Sequence, residues 1–368
     1  LNSKYKSGYG LELKRMSSVF KQNKKINFSS TKKIIYNAIN DSIFPGAQVF
    51  ISVGDNIILS EGFGKISNEN NAQNVTQNTI YDVASLTKVL STTPVIMKLI
   101  KKNRLGLDFP LKDFYPSYNT KDKKSITIRH LLTHTSGLKD HIAYHEISNM
   151  NRESILEDII NQDLYYKPDS KTVYSDLGMI LLLDIIEKVT GSKLDKLSSK
   201  YFYNPLGMHN TMFNPTKDFL DRIAPTENDT YFRNRLLQGI VHDENAYILG
   251  GVSGHAGLFS NASDIGIFCK MLLDGGYYLG TRYFDTNLIN SFTSRKNIPE
   301  NSDRALGWDT PSQEGSTAGD YFSSNSYGHL GFTGTSVWSD PVNDIIIVLL
   351  TNRIYPTRDK KNIRKKMY

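Results

Sequence analysis

One cysteine, Cys269, stands among 368 residues, so no disulfide can close within the chain. Its neighbours, Ile265-Gly266-Ile267-Phe268 and Lys270-Met271-Leu272-Leu273, are those of a small buried hydrophobe and not of a nucleophile. No apolar run reaches the ~18 residues that a membrane-spanning helix needs, which argues against a transmembrane segment. Acidic charge is in mild deficit, 37 Asp and Glu against 44 Lys and Arg, for a net charge of +7 with neutral histidines. That excess gathers in a lysine-rich start and in the tail 358–366, with no aromatic-interleaved basic stripe beside it. A nucleic-acid partner is therefore not expected. A solvated surface is the better reading, with attraction to anionic cell-wall polymers second. Internal repeats and low-complexity linkers are also lacking.

Two tempting motifs are incomplete. His130 and His134 share the i, i+4 spacing of zinc-binding helices, but no glutamate follows the first and no third ligand is evident. Core histidines are expected, with no metal and no cofactor. Gly250-Gly251-Val252-Ser253-Gly254 lacks the lysine-and-hydroxyl ending of a phosphate loop. It also misses the G-x-S-x-G elbow, because His255 stands where the last glycine belongs. A cleft loop or tight bend is expected, and His255 reads as structural before it reads as substrate-facing.

What the chain does have is apolar content, 39%, enough for one large domain or two. Ser29-Ser30 offers a helix start, with Ile35, Ala38 and Ile39 at helical spacing. The runs 47–53 and 57–62 flank Gly54-Asp55-Asn56, a hairpin signal. Residues 110–245 read as mostly helical and loop-rich. Strands return at 335–338 and 345–350, joined through Asp340-Pro341, and the second is continuously apolar, which predicts cover on both faces. The simplest assembly is α+β: an antiparallel sheet built from both chain ends, flanked by helices, with a mainly helical lobe inserted. The boundaries would be 1–84 plus 250–368 for the sheet domain and 85–249 for the helical one, with the active site in the cleft between them.

Ser85-Leu86-Thr87-Lys88 opens a long apolar helix carrying Val89, Leu90, Val95, Ile96, Leu99 and Ile100. Positions i and i+3 share a helix face, so the lysine amine returns beside the serine hydroxyl. Burial lowers a lysine pKa and makes Lys88 a candidate base. Ser85 would sit near the helix N-terminus, where free N–H groups and the dipole favour a developing negative charge. Downstream, Tyr174-Ser175-Asp176 leads a second apolar helix that closes at Gly191. Near the end, Gly328-His329-Leu330-Gly331-Phe332-Thr333-Gly334-Thr335 runs into a strand.

Serine with lysine three later, then a tyrosine motif, then a late glycine-bearing strand is the ordered signature of penicillin-recognising serine enzymes. The chain resembles the serine β-lactamase and penicillin-binding-protein-like family, in the branch of class C β-lactamases, D-aminopeptidases and esterases. His130-Leu131-Leu132-Thr133-His134-Thr135-Ser136-Gly137-Leu138, Pro205-Leu206-Gly207-Met208 and the 250–260 stretch resemble phrases that recur there. The likeness runs over about 34–358.

This resemblance implies a β-lactamase/transpeptidase-like fold and an acyl-enzyme on Ser85. Lys88 would be the base or would hold Tyr174 near phenolate, and Tyr174 would pass the proton to the leaving group; the sequence leaves the choice of base open. The oxyanion hole would use the N–H groups of Ser85 and Phe332, and Gly331 would let substrate approach the strand edge. Two positions depart from many relatives. His329 replaces a lysine, so affinity for a carboxylate should be weaker and pH-dependent. Asp176 replaces an asparagine, so it would either pair with Lys88 or favour a substrate bearing an amine.

The expected function is that of a serine hydrolase acting on esters or D-configured amide and peptide bonds. A β-lactamase or D,D-carboxypeptidase is the alternative of the same class, and a non-catalytic cell-wall peptide binder that of another. A small molecule or cell-wall peptide is the partner implied, in an extracytoplasmic, bacterial periplasmic setting. Residues 359–366 offer only a short, polar start to the terminal helix that relatives carry.

Overall fold

The computed structural model describes residues 20–22 and 26–359. The basic start and the 360–366 part of the tail lie outside the described residues, as does the question of a terminal helix.

Both chain ends feed one six-stranded sheet. Its strands are β1 (Lys21–Gln22), β2 (Gly46–Val53), β3 (Asn56–Gly64), β9 (Tyr327–Gly331), β10 (Thr335–Asp340) and β11 (Ile345–Thr351), in the order β1-β3-β2-β11-β10-β9. The expected hairpin is present: β2 and β3 pair antiparallel through a turn whose Gly54 has φ +57, a conformation glycine adopts without strain. The sheet is not wholly antiparallel, however. The short β1 joins the free edge of β3 in parallel, because it enters by loop and not by hairpin.

Helix α1 (Ser29–Asn40) packs on one face of the sheet, where Ile35 joins Ala47, Val49, Leu59 and Phe63 in a small apolar cluster. Helix α7 (Ala262–Leu273) covers the other, burying Ile265, Phe268, Cys269 and Leu272 in the core cluster that also holds Val337, Ile346, Val348 and Leu350. Asn261 caps α7 by accepting the Asp264 N–H at 2.9 Å. Gly266 is required at the crossing, since a Cβ there would stand 2.4 Å from the Phe50 ring. Two-sided cover of β11 is only partly realised. Ile346, Val348 and Leu350 are buried toward α7, whereas Ile345, Ile347 and Leu349 are half-buried on the α1 side. Cys269 is fully buried and its thiol is pushed up to about 12 by desolvation, which keeps it inert.

Between the two halves of the sheet runs the helical part of the chain. Strand β4 (Tyr81–Asp82) delivers Ser85 to a helix that ends as α2 (Thr93–Lys101). Helices α3 (Ile128–Leu132), α4 (Arg152–Asn161) and α5 (Asp176–Thr190) follow. Helix α5 is apolar on nearly every side and buries Leu177 to Leu183, Ile185 and Ile186, as a helix surrounded by protein must. Ser175 caps its start, accepting the Gly178 N–H at 3.2 Å, and Gly191 at φ +68 ends it. Two short pairs complete the frame: β5 (Met212–Phe213) on β8 (Leu258–Ser260), and β6 (Glu227–Asp229) on β7 (Arg235–Leu237), with helix α6 (Glu244–Ile248) after them. Strand β8 also pairs with β4, which ties the approach to Ser85 into the body of the molecule. Among the described residues no helix is long and apolar enough to cross a membrane.

Candidate active site

Ser85 lies just ahead of its helix, not within it. The residue before it, Ala84, has φ +46, a left-handed conformation that costs an L-residue with a side chain about 1 kcal/mol or more. Asp82 holds that turn: Oδ1 accepts the Ala84 N–H at 2.8 Å and Oδ2 accepts the His242 N–H at 2.7 Å. The N–H groups of Leu86, Thr87 and Lys88 are already spent on the carbonyls of Val83, Ala84 and Ser85. The helix N-terminus expected to face a substrate is thus closed. Among the described residues, the main-chain N–H groups of Ser85 and Phe332 donate to no protein acceptor. They are the pair named from the sequence for the oxyanion.

The helix carries a π turn over Lys88–Thr92. Such bulges concentrate at functional sites. Lys88 is fully buried and its amine stands 2.9 Å from Ser85 Oγ, 2.8 Å from Asp176 Oδ1 and 3.2 Å from the His255 carbonyl. It also lies 4.6 Å from the centre of the Tyr174 ring. Burial alone would lower the pKa of Lys88, as expected from the sequence. The opposing charge of Asp176, with hydrogen bonds to Asp176 and Tyr174, more than offsets it, and the net shift is upward. Lys88 is therefore an ammonium at neutral pH and not a free base. Tyr174 is corrected in the same way. Desolvation raises its pKa, the Asp176 charge adds to the rise, and the pull of Lys88 with its hydrogen bonds to Lys88 and Ser85 does not overcome them. The resting tyrosine is a neutral phenol and not near phenolate.

Of the two readings of Asp176, the pairing with Lys88 is the one realised. As the first residue of α5 its carboxylate also meets the positive end of the helix dipole. Its second oxygen, Oδ2, is 4.0 Å from Nδ1 of the partly exposed His141.

His329 sits on β9, buried, with Nδ1 hydrogen-bonded to the Leu330 carbonyl at 2.7 Å and Nε2 without a protein partner. Desolvation lowers its pKa to about 4, against the upward pull of Asp309 and with the help of the nearby Lys88 and Arg304 cations. It is neutral across the physiological range, so the expected pH-dependent carboxylate grip moves out of that range. Gly331 is needed for a reason other than the one expected. A Cβ there would lie 2.6 Å from the Val83 carbonyl oxygen and 2.1 Å from Thr335 Oγ1. The close approach is by the protein's own chain leading to Ser85. Thr333 and Thr335 fix that approach by donating to the carbonyls of Asp82 at 2.7 Å and Val83 at 3.1 Å. Phe332 is 41% exposed and its ring rests near His242.

Other side chains complete the site, of which the sequence reading missed Arg304 and Asp82 and took His134 and His255 as structural. Arg304 lies over the Tyr174 ring, 5.2 Å from its centre, and is the permanent cation of the site. Asp309 and Asp303 hold it in place. His134, at φ +59 beyond the end of α3, packs its ring 4.8 Å from that of Tyr174 and accepts the Ser175 N–H on Nδ1 at 3.0 Å. It does not share a helix face with His130, whose nitrogens engage Thr127 and Asp169. His255 is buried between Ser253 and Asp243, each 2.8 Å from a ring nitrogen, and serves the site through its carbonyl. The loop that carries it comes close because Gly254 has no side chain; a Cβ would meet the Met179 carbonyl of α5 at 2.0 Å. Asp82 stands three residues before Ser85 and could have been noticed as a turn former.

Ligand atoms of Asp176, Asp243 and His255 lie within 4.8 Å of one another. Asp176 is paired with Lys88 and Asp243 with His255, whose pKa is raised despite burial by the Asp243 and Asp176 charges. The grouping is thus compensated by its own side chains. A buried lysine between a half-buried serine and a half-buried tyrosine, with two unused N–H groups, is equipped to form and stabilise a covalent acyl intermediate.

Comparison with known proteins gives the chain its family. The family model described as "Beta-lactamase" matches residues 32–367. Proteins described as "Putative D-alanyl-D-alanine carboxypeptidase" from Salmonella agona (strain SL483) and Salmonella typhi are 32% identical over 346 residues, covering 85% of this chain and 80% of theirs. Among solved structures, "EstCE1, a hydrolase with promiscuous acyltransferase activity" superposes with a TM-score of 0.71 at 22% identity, over 92% of this chain and 98% of its own. A class C beta lactamase from Rhodobacter sphaeroides gives a TM-score of 0.71 at 17% identity, over 93% and 97%. These two likenesses establish the shared α+β fold. The family match over nearly all of the described residues, together with the 32% identical relatives, shows that the chain belongs to the beta-lactamase family.

Proposed function

We propose that this protein is a serine hydrolase that acylates Ser85, acting on esters or on D-configured amide and peptide bonds. One observation carries the reading: the Ser85 hydroxyl stands 2.9 Å from the Lys88 amine, with Tyr174 against that amine. A binding module has no use for such an arrangement. In the acylation step Ser85 Oγ bonds to the substrate carbonyl carbon, and the carbonyl oxygen takes the negative charge at the Ser85 and Phe332 N–H groups. The serine proton passes through the Lys88–Tyr174 pair to the leaving alcohol or amine as its bond to carbon breaks. Water then repeats the sequence in reverse roles and frees the acid. Esters suit a site where His329 is neutral, because they need no cation for recognition.

Arg304 favours a second reading. It puts a permanent positive charge beside Tyr174, where the terminal carboxylate of a D,D-peptide could find it. The 32% identical relatives bear the description of putative carboxypeptidases, which points the same way and would place the protein in the bacterial periplasm. Turnover of a p-nitrophenyl ester, of nitrocefin and of a diacylated Lys-D-Ala-D-Ala peptide separates these readings. Ester hydrolysis well above the other two supports the first, and release of D-alanine the second. No turnover of any of the three would count against both.

A further inference from the structure

Lys88 is fully buried, and the Asp176 carboxylate stands against its amine, Oδ1 at 2.8 Å. The amine also donates to Ser85 Oγ at 2.9 Å and to the His255 carbonyl at 3.2 Å. A cation buried this deeply is costly without an opposite charge beside it. An ammonium has no lone pair, so in the charged form Lys88 donates to the serine and cannot accept its proton.

We infer that Asp176 is a positioning residue that acts through Lys88: its carboxylate holds the resting enzyme in the ammonium form, and so sets the pH above which Ser85 can be deprotonated. This rests on the proposed acylation of Ser85. It also replaces the expectation that Asp176 reads an amine on the substrate, since the Oδ1 oxygen is already committed inside the site.

The other groups that face Lys88 do not supply this charge. Tyr174, two residues ahead of α5, is a neutral phenol. From β9, His329 is neutral, and from the turn after α3, buried His134 has its pKa lowered well below the ordinary histidine value. Arg304, over the outer face of Tyr174, is a cation and opposes an ammonium. From the 250–257 loop, His255 is bonded to Asp243 at 2.8 Å, so those two charges face each other. His141, at 4.0 Å from Asp176 Oδ2, is on the solvent side. Removing the Asp176 charge leaves Lys88 buried among neutral groups and cations, where desolvation lowers its pKa.

The test is the rate at which an alkyl fluorophosphonate, a probe with no amine or amide, labels Ser85 between pH 5 and 10. In that reaction the Oγ–P bond forms, the P–F bond breaks, fluoride leaves and the serine proton goes to the base. Asp176→Asn is expected to move the acid limb of the labelling rate down by at least one pH unit and to raise labelling at pH 6 about tenfold or more. Asp176→Glu keeps the charge and should leave the limb near its wild-type position, whatever it does to the maximum rate. A limb unmoved in folded Asp176→Asn overturns the inference. If that variant fails to fold, a limb shifted downward in Asp176→Glu overturns it equally. Absence of labelling in the wild type at every pH would instead overturn the proposed function, so the two failures are distinguishable.

Discussion

Gly331 and Val83 meet across the floor of the site: a Cβ on the glycine would stand 2.6 Å from the Val83 carbonyl oxygen. Strand β9 and the turn that presents Ser85 are therefore packed backbone to backbone, and Thr335 Oγ1 donates to the same carbonyl at 3.1 Å. Any side chain at 331 must push the two apart. Gly331→Ala is expected to cost about 1–3 kcal/mol of stability, in the range of overpacked cores, and to cut Ser85 labelling at least tenfold. Thermal unfolding and labelling of one preparation check both. A stable variant with unchanged labelling would mean that the contact does not position the serine.

Tyr174 faces Lys88 and Ser85, and the proton path needs its hydroxyl. Tyr174→Phe keeps the ring against Lys88 and His134 but removes the relay. The loss expected in ester turnover is on the order of 10²–10⁴-fold, with little change in melting temperature. Steady-state kinetics set against a melting curve separates this from a packing role, which would lower both.

His329 offers a test by pH. Its pKa falls from the ordinary value of 6.5 to about 4 in the folded protein, so between those values the unfolded chain binds the proton and the native one does not. Stability is full above pH ~6.5 and declines as pH falls toward 4, by up to about 3 kcal/mol from this residue. His134, also held neutral by burial, acts in the same direction. Urea unfolding at pH 7 and pH 5 should show the decline, and His329→Asn should flatten part of it. A wild-type protein equally stable at both values would contradict the burial argument.

The reach of the sequence followed the range of the interactions. Ser85 and Lys88 were legible because helical spacing alone brings positions three apart together, and the turn at Gly54 because its chemistry is local. Tyr174 and His329 needed the ordered resemblance, since nothing near either in the chain announces a partner. The protonation state of Lys88 was misjudged because its sign is decided by Asp176, a residue brought in from another helix. Arg304 was invisible for a similar reason. A lone arginine in a loop carries no signal until the fold lays it over Tyr174. The left-handed Ala84 was equally hidden, because an alanine gives no local reason to take that conformation.

Arg358 extends the account to the end of the described chain. Its guanidinium bonds Glu227, fully buried, at 2.6 Å and Glu244 at 2.7 Å, and Glu227 also bonds the His242 ring at 2.8 Å. Desolvation opposes ionisation of Glu227, but these partners prevail and hold its pKa at about 2. Arg358→Ala leaves that carboxylate with the His242 ring and its remaining contacts, and is expected to cost about 3 kcal/mol. The His242 N–H holds Asp82, so labelling of Ser85 should fall as well. Arg358→Lys should recover part of both. Calorimetry with parallel labelling checks it, and an unchanged melting temperature in the alanine variant would contradict it.

The central claim is that Ser85 is the nucleophile. Its most direct test is intact-mass spectrometry after exposure to a fluorophosphonate and, separately, to a penicillin, beside a Ser85→Ala control. The account predicts a single adduct from the fluorophosphonate that maps to Ser85 and is absent from the control. A penicilloyl adduct, if it forms, should map there too. A wild-type protein that remains unmodified by both probes, or an adduct that persists in Ser85→Ala, would contradict it.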